Sequence, residues 1–154
     1  MIYDTMGVWM LFIRNFKKED LEQVNSLISN EFNRTYNSDF YLSISSRWNE
    51  GFLVAQDKIG IIGMCACVIS APKTARILLM VIRPDYRSRG IGAQLLSELM
   101  NRCFQLDLKA LTLEVRISNK GGIRFYQKYG FEAKTIISNY YEDGEAGYLM
   151  RKVL

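Results

Sequence analysis

The stretch from residue 77 to residue 103 constrains the fold more than any other part of the sequence. It opens with an unbroken aliphatic run, Ile77 to Ile82, which is typical of a buried strand, and Pro84 ends that strand. After a short glycine-containing loop, apolar residues return at the spacing of one helix face. They are Ile91, Leu95, Leu96, Leu99, Met100 and Cys103. The sequence therefore predicts a strand, a loop and a helix in direct succession.

The loop between that strand and that helix, Arg87-Ser88-Arg89-Gly90-Ile91-Gly92, indicates an anion site. Glycine lets a ligand approach the main chain, and the first amides of a helix have no partner within the helix. Those amides, two arginines and the helix dipole favour a phosphate or pyrophosphate. A Walker loop is excluded because no Gly-Lys-Ser/Thr follows, and the dinucleotide fingerprint is excluded because Leu95 occupies its third glycine position. An ordinary loop with basic surface residues is the alternative.

Residue content narrows the available chemistry. The 154 residues suffice for one domain with a single core, and the 49% hydrophobic content is typical of a folded chain. Cys65, Cys67 and Cys103 lie in apolar runs without Cys-x-x-Cys spacing, which predicts buried thiols rather than disulfides or zinc ligands. The sequence has no histidine, so a Ser-His-Asp triad, a histidine base and a histidine-bound metal are excluded.

The net charge of +4 suits an anionic ligand, but the basic residues are scattered along the chain. No block of like charge favours a nucleic-acid surface. Residues 1–12 are apolar without a basic leader or a small-residue cleavage site, and no apolar run approaches the length of a membrane span. We therefore expect a cytoplasmic protein that binds neither a membrane nor a specific nucleic acid.

Periodicity along the rest of the chain predicts a mixed α/β layer fold without repeats or linkers. Further helices are expected around Leu21–Ile28, as a short element after a loop within 31–49, and over 120–129, where Gly130 is the stop. Further strands are expected at 8–16, 51–56, 59–70, 110–117, 133–139 and 148–153. Because a crossover helix joins them, strands 77–82 and 110–117 are expected to run parallel.

A second cluster of polar and aromatic residues begins at Glu114. Leu113 and Val115 face one side of their strand, so Glu114 faces the other. A solvated charge on an exposed sheet face is the alternative interpretation. The residues that follow the strand favour a functional role for the carboxylate. They are Ser118-Asn119, Gly122, Phe125-Tyr126 and Tyr129-Gly130-Phe131.

The pattern Arg-x-x-Gly-x-Gly at 87–92, after Pro84-Asp85-Tyr86 and before a leucine-rich helix, resembles the acetyl-CoA motif of the GCN5-related N-acetyltransferase (GNAT) family. The resemblance implies one GNAT domain over residues 1–154. Its fold would be α/β, with a central mixed, mostly antiparallel sheet of about seven strands and about four flanking helices. It also implies acetyl-CoA as cosubstrate and no metal.

The second half of the chain is similar to one branch of that family, the protein N-terminal acetyltransferases. The similarity is to bacterial RimI, archaeal N-terminal acetyltransferases and the catalytic subunit of the NatE complex, and it rests on 113–119, Ile123, Tyr126 and 129–132. It continues into Asn139-Tyr140-Tyr141, a tyrosine pair that clamps the substrate peptide in those enzymes. Phe32, Tyr36 and Phe40-Tyr41 resemble the peptide-binding loop. The expected acceptor is a protein or peptide N-terminus, with a ribosome or auxiliary subunit as an open further partner.

The resemblance implies a role for individual residues. Tyr126 would be the general acid beside the thioester sulfur, and Glu114 would order the water that takes the amine proton. Tyr86 matches a base proposed in the NatE subunit and stays an alternative, while Glu31 aligns only loosely with a catalytic glutamate. Cofactor contacts would come from Met80, Val81, Ile82, Arg87, Ser88, Arg89, Gly90, Ile91, Gly92, Ala93, Asn119 and Tyr126. Substrate contacts would come from Phe32, Tyr36, Tyr140 and Tyr141.

The chemistry favours direct transfer in a ternary complex over an acetyl-cysteine intermediate, since the cysteines lie in apolar faces. A free α-amine has a pKa of about 7.7–8.0 against about 10.4 for lysine, so a mild carboxylate-water relay suffices. Phe32-Asn33-Arg34 stands where the NatE-type loop has Phe-Pro-Val, which predicts a more polar first-residue pocket. An enzyme acting on lysine or a small amine, and a non-catalytic acyl-CoA-binding or ribosome-associated module, remain alternatives.

Overall fold

The fold is organised around the strand that precedes the glycine loop. The computed structural model describes residues 2–3 and 10–154 and places the strand at Thr74–Ile82. The described strands are β1 (Ile2–Tyr3), β2 (Met10–Asn15), β3 (Phe52–Asp57), β4 (Gly60–Ala71), β5 (Thr74–Ile82), β6 (Ala110–Arg116), β7 (Glu132–Ile137) and β8 (Gly147–Val153). The described α-helices are α1 (Leu21–Phe32), α2 (Ser38–Arg47), α3 (Ile91–Gln105) and α4 (Lys120–Lys128). Residues 8 and 9, where the first strand was expected to begin, lie outside the described residues.

The described strands form one sheet in the order β1-β2-β3-β4-β5-β6-β8-β7. Neighbouring strands are antiparallel except β5 and β6, which run parallel as predicted because α3 crosses over between them. The predicted hairpins β3–β4 and β7–β8 are also present. The expected fold class, a mixed and mostly antiparallel sheet with flanking helices, is therefore confirmed.

The sheet opens between β5 and β6. The two strands pair only from Thr74 opposite Ala110 to Ile77 opposite Leu113, while β6 goes on pairing with β8 as far as Arg116. Leu78 is an extra residue in β5, since Leu79 lies opposite Ala66 and Ile77 lies opposite Cys67. A β-bulge of this kind bends the strand and increases its twist. Beyond Ile77, one edge of β5 therefore faces a cleft rather than a neighbouring strand.

Helices cover both faces of the sheet because the strands are apolar on both sides. Leu53 and Ala55 pack in one cluster with Leu95, Leu96 and Leu99 of α3. Phe52 and Val54, which alternate with them, pack in a second cluster with side chains of α1 and α2. The glycine loop and the cleft thus lie where the sheet, α3 and α4 meet.

The segment 31–49 contains more helix than a loop leading to a short helix. α1 continues to Phe32, and α2 begins at Ser38, where the side chain of Asn37 accepts a hydrogen bond from the Phe40 amide at 3.1 Å. Asn33 ends α1 in the left-handed conformation, with φ of 49°. Within the described part of the chain, no helix combines the length and apolar character needed to cross a bilayer.

Candidate active site

The glycine loop and β5 line a pocket of about 630 Å³, here called the glycine-loop pocket. Gly90 precedes α3 with φ of 81°, a conformation that glycine adopts without strain, and a Cβ there would meet nothing within 4 Å. The first main-chain hydrogen bond of α3 joins the Gln94 amide to the Gly90 carbonyl at 3.1 Å. The amides of Ile91, Gly92 and Ala93 precede that bond and can receive an anion at the positive end of the helix.

The two arginines of the loop are held in different ways. Arg87 forms an ion pair with Glu31 at 2.6 Å, and its Nε donates to the Ile82 carbonyl at 3.1 Å. Arg89 places its guanidinium over the Tyr86 ring at 4.9 Å. Arg89 is the one predicted cofactor residue that does not line the glycine-loop pocket; the others do.

A second pocket of about 440 Å³, here called the tyrosine pocket, lies on the other side of the cleft. The two pockets share Met80, Asn119 and Tyr126 and therefore meet at these side chains. The Tyr126 hydroxyl donates to the Met80 sulfur at 3.5 Å. Burial raises the pKa of Tyr126 well above the ordinary value of 10.0 for tyrosine, with a smaller contribution from nearby Cys65. The phenol therefore stays protonated at neutral pH and can act as a proton donor.

Glu114 projects into the tyrosine pocket and its carboxylate is held by an arginine. The Arg76 Nε donates to Glu114 Oε2 at 3.0 Å, and the Glu114 side chain is 14% exposed. The Arg76 Nη2 also donates to the Tyr140 hydroxyl at 3.0 Å. Arg76 thus joins the predicted catalytic carboxylate to one tyrosine of the predicted substrate pair.

The loop between β7 and β8 brings the tyrosine pair to the pocket. Tyr140 and Tyr141 meet edge to face, with ring centroids 4.9 Å apart, and Tyr141 lines the tyrosine pocket. Arg116 lies over the Tyr141 ring at 4.1 Å and donates to Asp143 at 2.8 Å and Glu145 at 2.9 Å. Burial raises the pKa of Tyr141 to about 12, and neighbouring Tyr140 adds to the effect. The loop is therefore fixed by charged hydrogen bonds and a cation–π contact.

The opposite wall of the tyrosine pocket comes from the connection between α1 and α2. Phe32 lines it and is 49% exposed, while Tyr36 lines it and stacks on Phe40 with a centroid separation of 4.1 Å. Tyr41 is buried and its hydroxyl donates to Asn25 Oδ1 at 2.9 Å. The predicted substrate residues Phe32, Tyr36 and Tyr141 therefore face one space, and Tyr140 borders it through its hydrogen bond with Arg76.

Tyr86, the alternative base, lies on the glycine-loop pocket and not on the tyrosine pocket. A hydrogen bond with Asp57 raises the pKa of Tyr86 above 10.0, and Asp57 is buried. Arg83 and Arg89 stack on its ring. The structure thus places Glu114 on the tyrosine pocket, Tyr86 on the glycine-loop pocket, and Tyr126 on both.

Asn119 has a structural role beside its predicted cofactor contact. It is the N-cap of α4, and its Oδ1 accepts from the Gly122 amide at 2.9 Å. A Cβ on residue 122 would lie 2.6 Å from the Asn119 Nδ2, so a larger residue there would displace the capping side chain. Gly121 and Gly122 lower the intrinsic stability of α4, but Gly122 also leaves room for the capping side chain.

The three cysteines lie in the apolar core. Cys65, Cys67 and Cys103 are buried and unpaired, and burial raises the pKa of Cys65 and of Cys103 to about 12. Such thiols are poor nucleophiles because the thiolate is the reactive form. No cluster of three or more metal-ligating side chains occurs in residues 2–3 and 10–154.

Sequence reasoning missed the arginine that contacts Glu114, and the glycine behind the tyrosine pair. Arg76 is 38 positions from Glu114, and no periodic pattern joins them. A Cβ at Gly147 would lie 3.2 Å from the Tyr141 ring and 3.4 Å from the Tyr140 ring, so this glycine makes room for both. The parallel β5–β6 pairing could have placed Arg76 beside Glu114, since both side chains lie on the same face near the point where the strands separate.

Comparison with known proteins agrees with this geometry. Residues 19–131 match the model of the acetyltransferase (GNAT) family. A Bacillus subtilis protein with the provisional name ribosomal protein bS18-alanine N-acetyltransferase is 30% identical over 140 residues, which cover 90% of this chain and 92% of that protein.

Solved structures give the same assignment. The crystal structure of Ard1 from Thermoplasma volcanium is 29% identical, has a TM-score of 0.89, and the match covers 94% of this chain and 97% of that one. Arabidopsis thaliana Naa50 in complex with the bisubstrate analogue CoA-Ac-MVNAL is 25% identical, with a TM-score of 0.84 and coverage of 94% and 99%. The chain belongs to the GNAT acetyltransferase family.

Proposed function

We propose that this protein is a protein N-terminal acetyltransferase that moves the acetyl group of acetyl-CoA to the α-amine of a peptide by direct transfer. The observation that carries the proposal is the meeting of the two pockets at Met80, Asn119 and Tyr126. One pocket offers helix amides to a pyrophosphate, and the other offers a carboxylate and aromatic walls to a peptide. A thioester laid along β5 from the first pocket would reach the second beside Tyr126, which lines both.

Residues 78–82 supply the cofactor arm with partners, since one edge of β5 lacks a neighbouring strand there. The arm of acetyl-CoA between pyrophosphate and thiol carries amides that can pair with main-chain groups, as an added strand does. The amides of residues 91–93 would bind the pyrophosphate. Lys128 lines the same pocket and would add a positive charge near the phosphates.

The transfer requires a proton acceptor and a proton donor on opposite sides of the reacting carbonyl. The amine nitrogen attacks that carbon, a C–N bond forms, the C–S bond breaks, and the sulfur leaves as a thiolate. Its raised pKa keeps Tyr126 protonated before transfer, so the hydroxyl can hydrogen-bond to the leaving sulfur. A proton that it passes to the thiolate is regained by the phenol from solvent. Glu114 orders the water that takes the amine proton, and the Arg76 contact fixes the carboxylate in place. A buried thiol is not required at any step.

We infer residues 1–154 to be one catalytic domain acting in the cytoplasm, because its three unpaired cysteines suit a reducing compartment. The relatives named above support a peptide acceptor. A ribosome or an auxiliary subunit that presents nascent chains is part of the same proposal.

The proposal is tested with purified protein, acetyl-CoA and peptides that begin with Met-Leu, Ser, Ala or Glu, each with a matched N-blocked peptide that contains lysine. Mass spectrometry then locates the acetyl group. Acetylation of the α-amine is the expected result. A product only on lysine would keep the cofactor site and overturn the acceptor, and CoA binding without any product would favour a binding module.

A further inference from the structure

An ion pair spans the mouth of the tyrosine pocket. The Arg34 Nη2 on the α1–α2 connection lies 2.9 Å from Glu142 Oε1 on the β7–β8 loop, and both residues line the pocket. The two residues are 108 positions apart, so the contact joins walls formed by distant parts of the chain. An acceptor peptide that enters between these walls must pass or displace this pair.

Separating Arg34 from Glu142 requires little free energy. The side chains of Arg34 and Glu142 are 51% and 84% exposed, and ion pairs in such positions contribute little to stability. A carboxylate on the incoming peptide could therefore replace Glu142 without a large free-energy cost.

Arg34 is held in place by more contacts than Glu142. The Arg34 guanidinium also lies over the Tyr36 ring at 5.1 Å, and Tyr36 in turn stacks on Phe40. Arg34 thus has a second support that remains when Glu142 moves away. Glu142 is the more exposed partner, on a loop tip, and its displacement leaves a positioned cation at the mouth of the pocket.

The remaining charged side chains on the pocket wall have partners deeper in the fold. Glu114 is paired with Arg76, and Arg116 is paired with both Asp143 and Glu145. Those contacts hold the proposed catalytic carboxylate and the tyrosine loop, so opening them would disturb the site itself. Arg34 also lines the pocket, and its carboxylate partner, Glu142, can be replaced without disturbing those contacts.

We propose that Arg34 selects acceptor peptides that carry an acidic side chain within their first three residues, with Glu142 as the internal carboxylate that such a side chain displaces. The inference rests on the proposed function, since it names the substrate class of the same pocket. The chain's net charge of +4 acts in the same direction by attracting acidic peptides.

The test uses peptide pairs that differ only by Glu or Gln at position one, two or three, each with a dye at the C-terminus. Binding to the CoA-loaded protein is measured by fluorescence anisotropy, and kcat/KM for α-amine acetylation is measured in parallel. At low ionic strength the Glu peptide of at least one pair should bind about three- to fivefold more tightly, as a single exposed ion pair allows. The ratio should shrink in 0.5 M salt, where the Debye length is about 4 Å.

Three variants test whether Arg34 causes the preference for acidic peptides. Arg34→Gln should bring the ratio of Glu-peptide to Gln-peptide affinity to one. Glu142→Gln should increase that ratio, because the carboxylate that competes with the peptide for Arg34 is gone. Arg47→Gln removes the same charge from the exposed end of α2, outside both pockets, and should keep the ratio. CoA affinity and thermal stability of all three should match the unsubstituted protein, which excludes misfolding.

The outcomes separate this inference from the proposed function. A ratio of one in the unsubstituted protein, a ratio that persists in Arg34→Gln, or an equal loss in Arg47→Gln would each overturn the role of Arg34. A charge preference in binding without any acetylation would keep that role and overturn the proposed transfer. A protein that binds no peptide would overturn both.

Discussion

Replacing Tyr126 with Phe removes one hydroxyl from the point where the two pockets meet. The ring packs edge to face against Phe125 and Phe131, with centroid separations of 5.2 Å and 5.5 Å, and phenylalanine keeps both contacts. The hydroxyl donates to the Met80 sulfur at 3.5 Å, and a thioether is a weak acceptor. The substitution should therefore leave the packing of α4 intact.

The size of the effect follows from these contacts. Loss of a hydrogen bond to a weak acceptor should change the free energy of unfolding by at most about 1 kcal/mol. Loss of a positioned proton donor should lower kcat by about 100- to 10,000-fold. The affinity for CoA should stay within about twofold, since the pyrophosphate contacts lie on α3, and a twofold change is about 0.4 kcal/mol.

The assay compares kcat, the CoA dissociation constant and the melting temperature of Tyr126→Phe with those of Tyr148→Phe. Tyr148 lies on β8 outside both pockets and loses the same atom. Because the pKa of Tyr126 is raised, kcat of the unsubstituted protein should show no loss from its deprotonation as pH rises to 9. A kcat for Tyr126→Phe within threefold of the control would refute the role of this hydroxyl.

Three further predictions concern the supports of the site. Arg76→Lys should lower kcat/KM for peptides by about 10- to 100-fold, because an ammonium cannot hold both Glu114 and Tyr140 as the guanidinium does. Steady-state kinetics measure this loss, and calorimetry should show an unchanged affinity for CoA. Gly121→Ala should stabilise α4 by about 0.5–1 kcal/mol, since its Cβ meets nothing within 4 Å, whereas Gly122→Ala should cost about 1 kcal/mol by displacing the N-cap; equal melting temperatures would contradict this. Burial acts to raise the pKa of Asp20, but hydrogen bonds from Arg14 and the Lys17 amide outweigh it and leave that pKa lowered. The ionised Asp20 should therefore stabilise the fold fully above about pH 4, and this stabilisation should be lost as pH falls further. Asp20→Asn should flatten that pH dependence in urea titrations.

Most of the fold was predictable because local patterns specify it. The aliphatic run, Pro84 and the leucine stripe after Gly90 predict a strand, a loop and a helix without any tertiary information. The parallel pairing of β5 and β6 follows from the crossover helix. Gly130 was predicted as the stop of α4, and it has a φ of 92° one residue after the C-cap.

The charged contacts of the site were not predictable in the same way. Arg34 and Glu142 are 108 positions apart, and Arg76 and Glu114 are 38 apart, so each pair exists only once the sheet and loops are assembled. The role of Tyr86 as an alternative base is implied only by the resemblance to the NatE subunit. The structure adds its hydrogen bond with Asp57 and its place on the glycine-loop pocket, and its role as a base stays a prediction.

The opening between β5 and β6 has a consequence for how the sequence can change. A ligand that pairs with the free edge of residues 78–82 is recognised by main-chain groups, which nearly every residue type supplies equally. Aliphatic exchanges along this edge should therefore be tolerated in a saturation mutagenesis experiment that scores cofactor binding. Proline should be rejected at those positions whose amides face the cleft, because it is the one residue that removes the donor. The recognition of the cofactor arm would thus be encoded in the absence of proline and in the bulge at Leu78, rather than in a set of side chains.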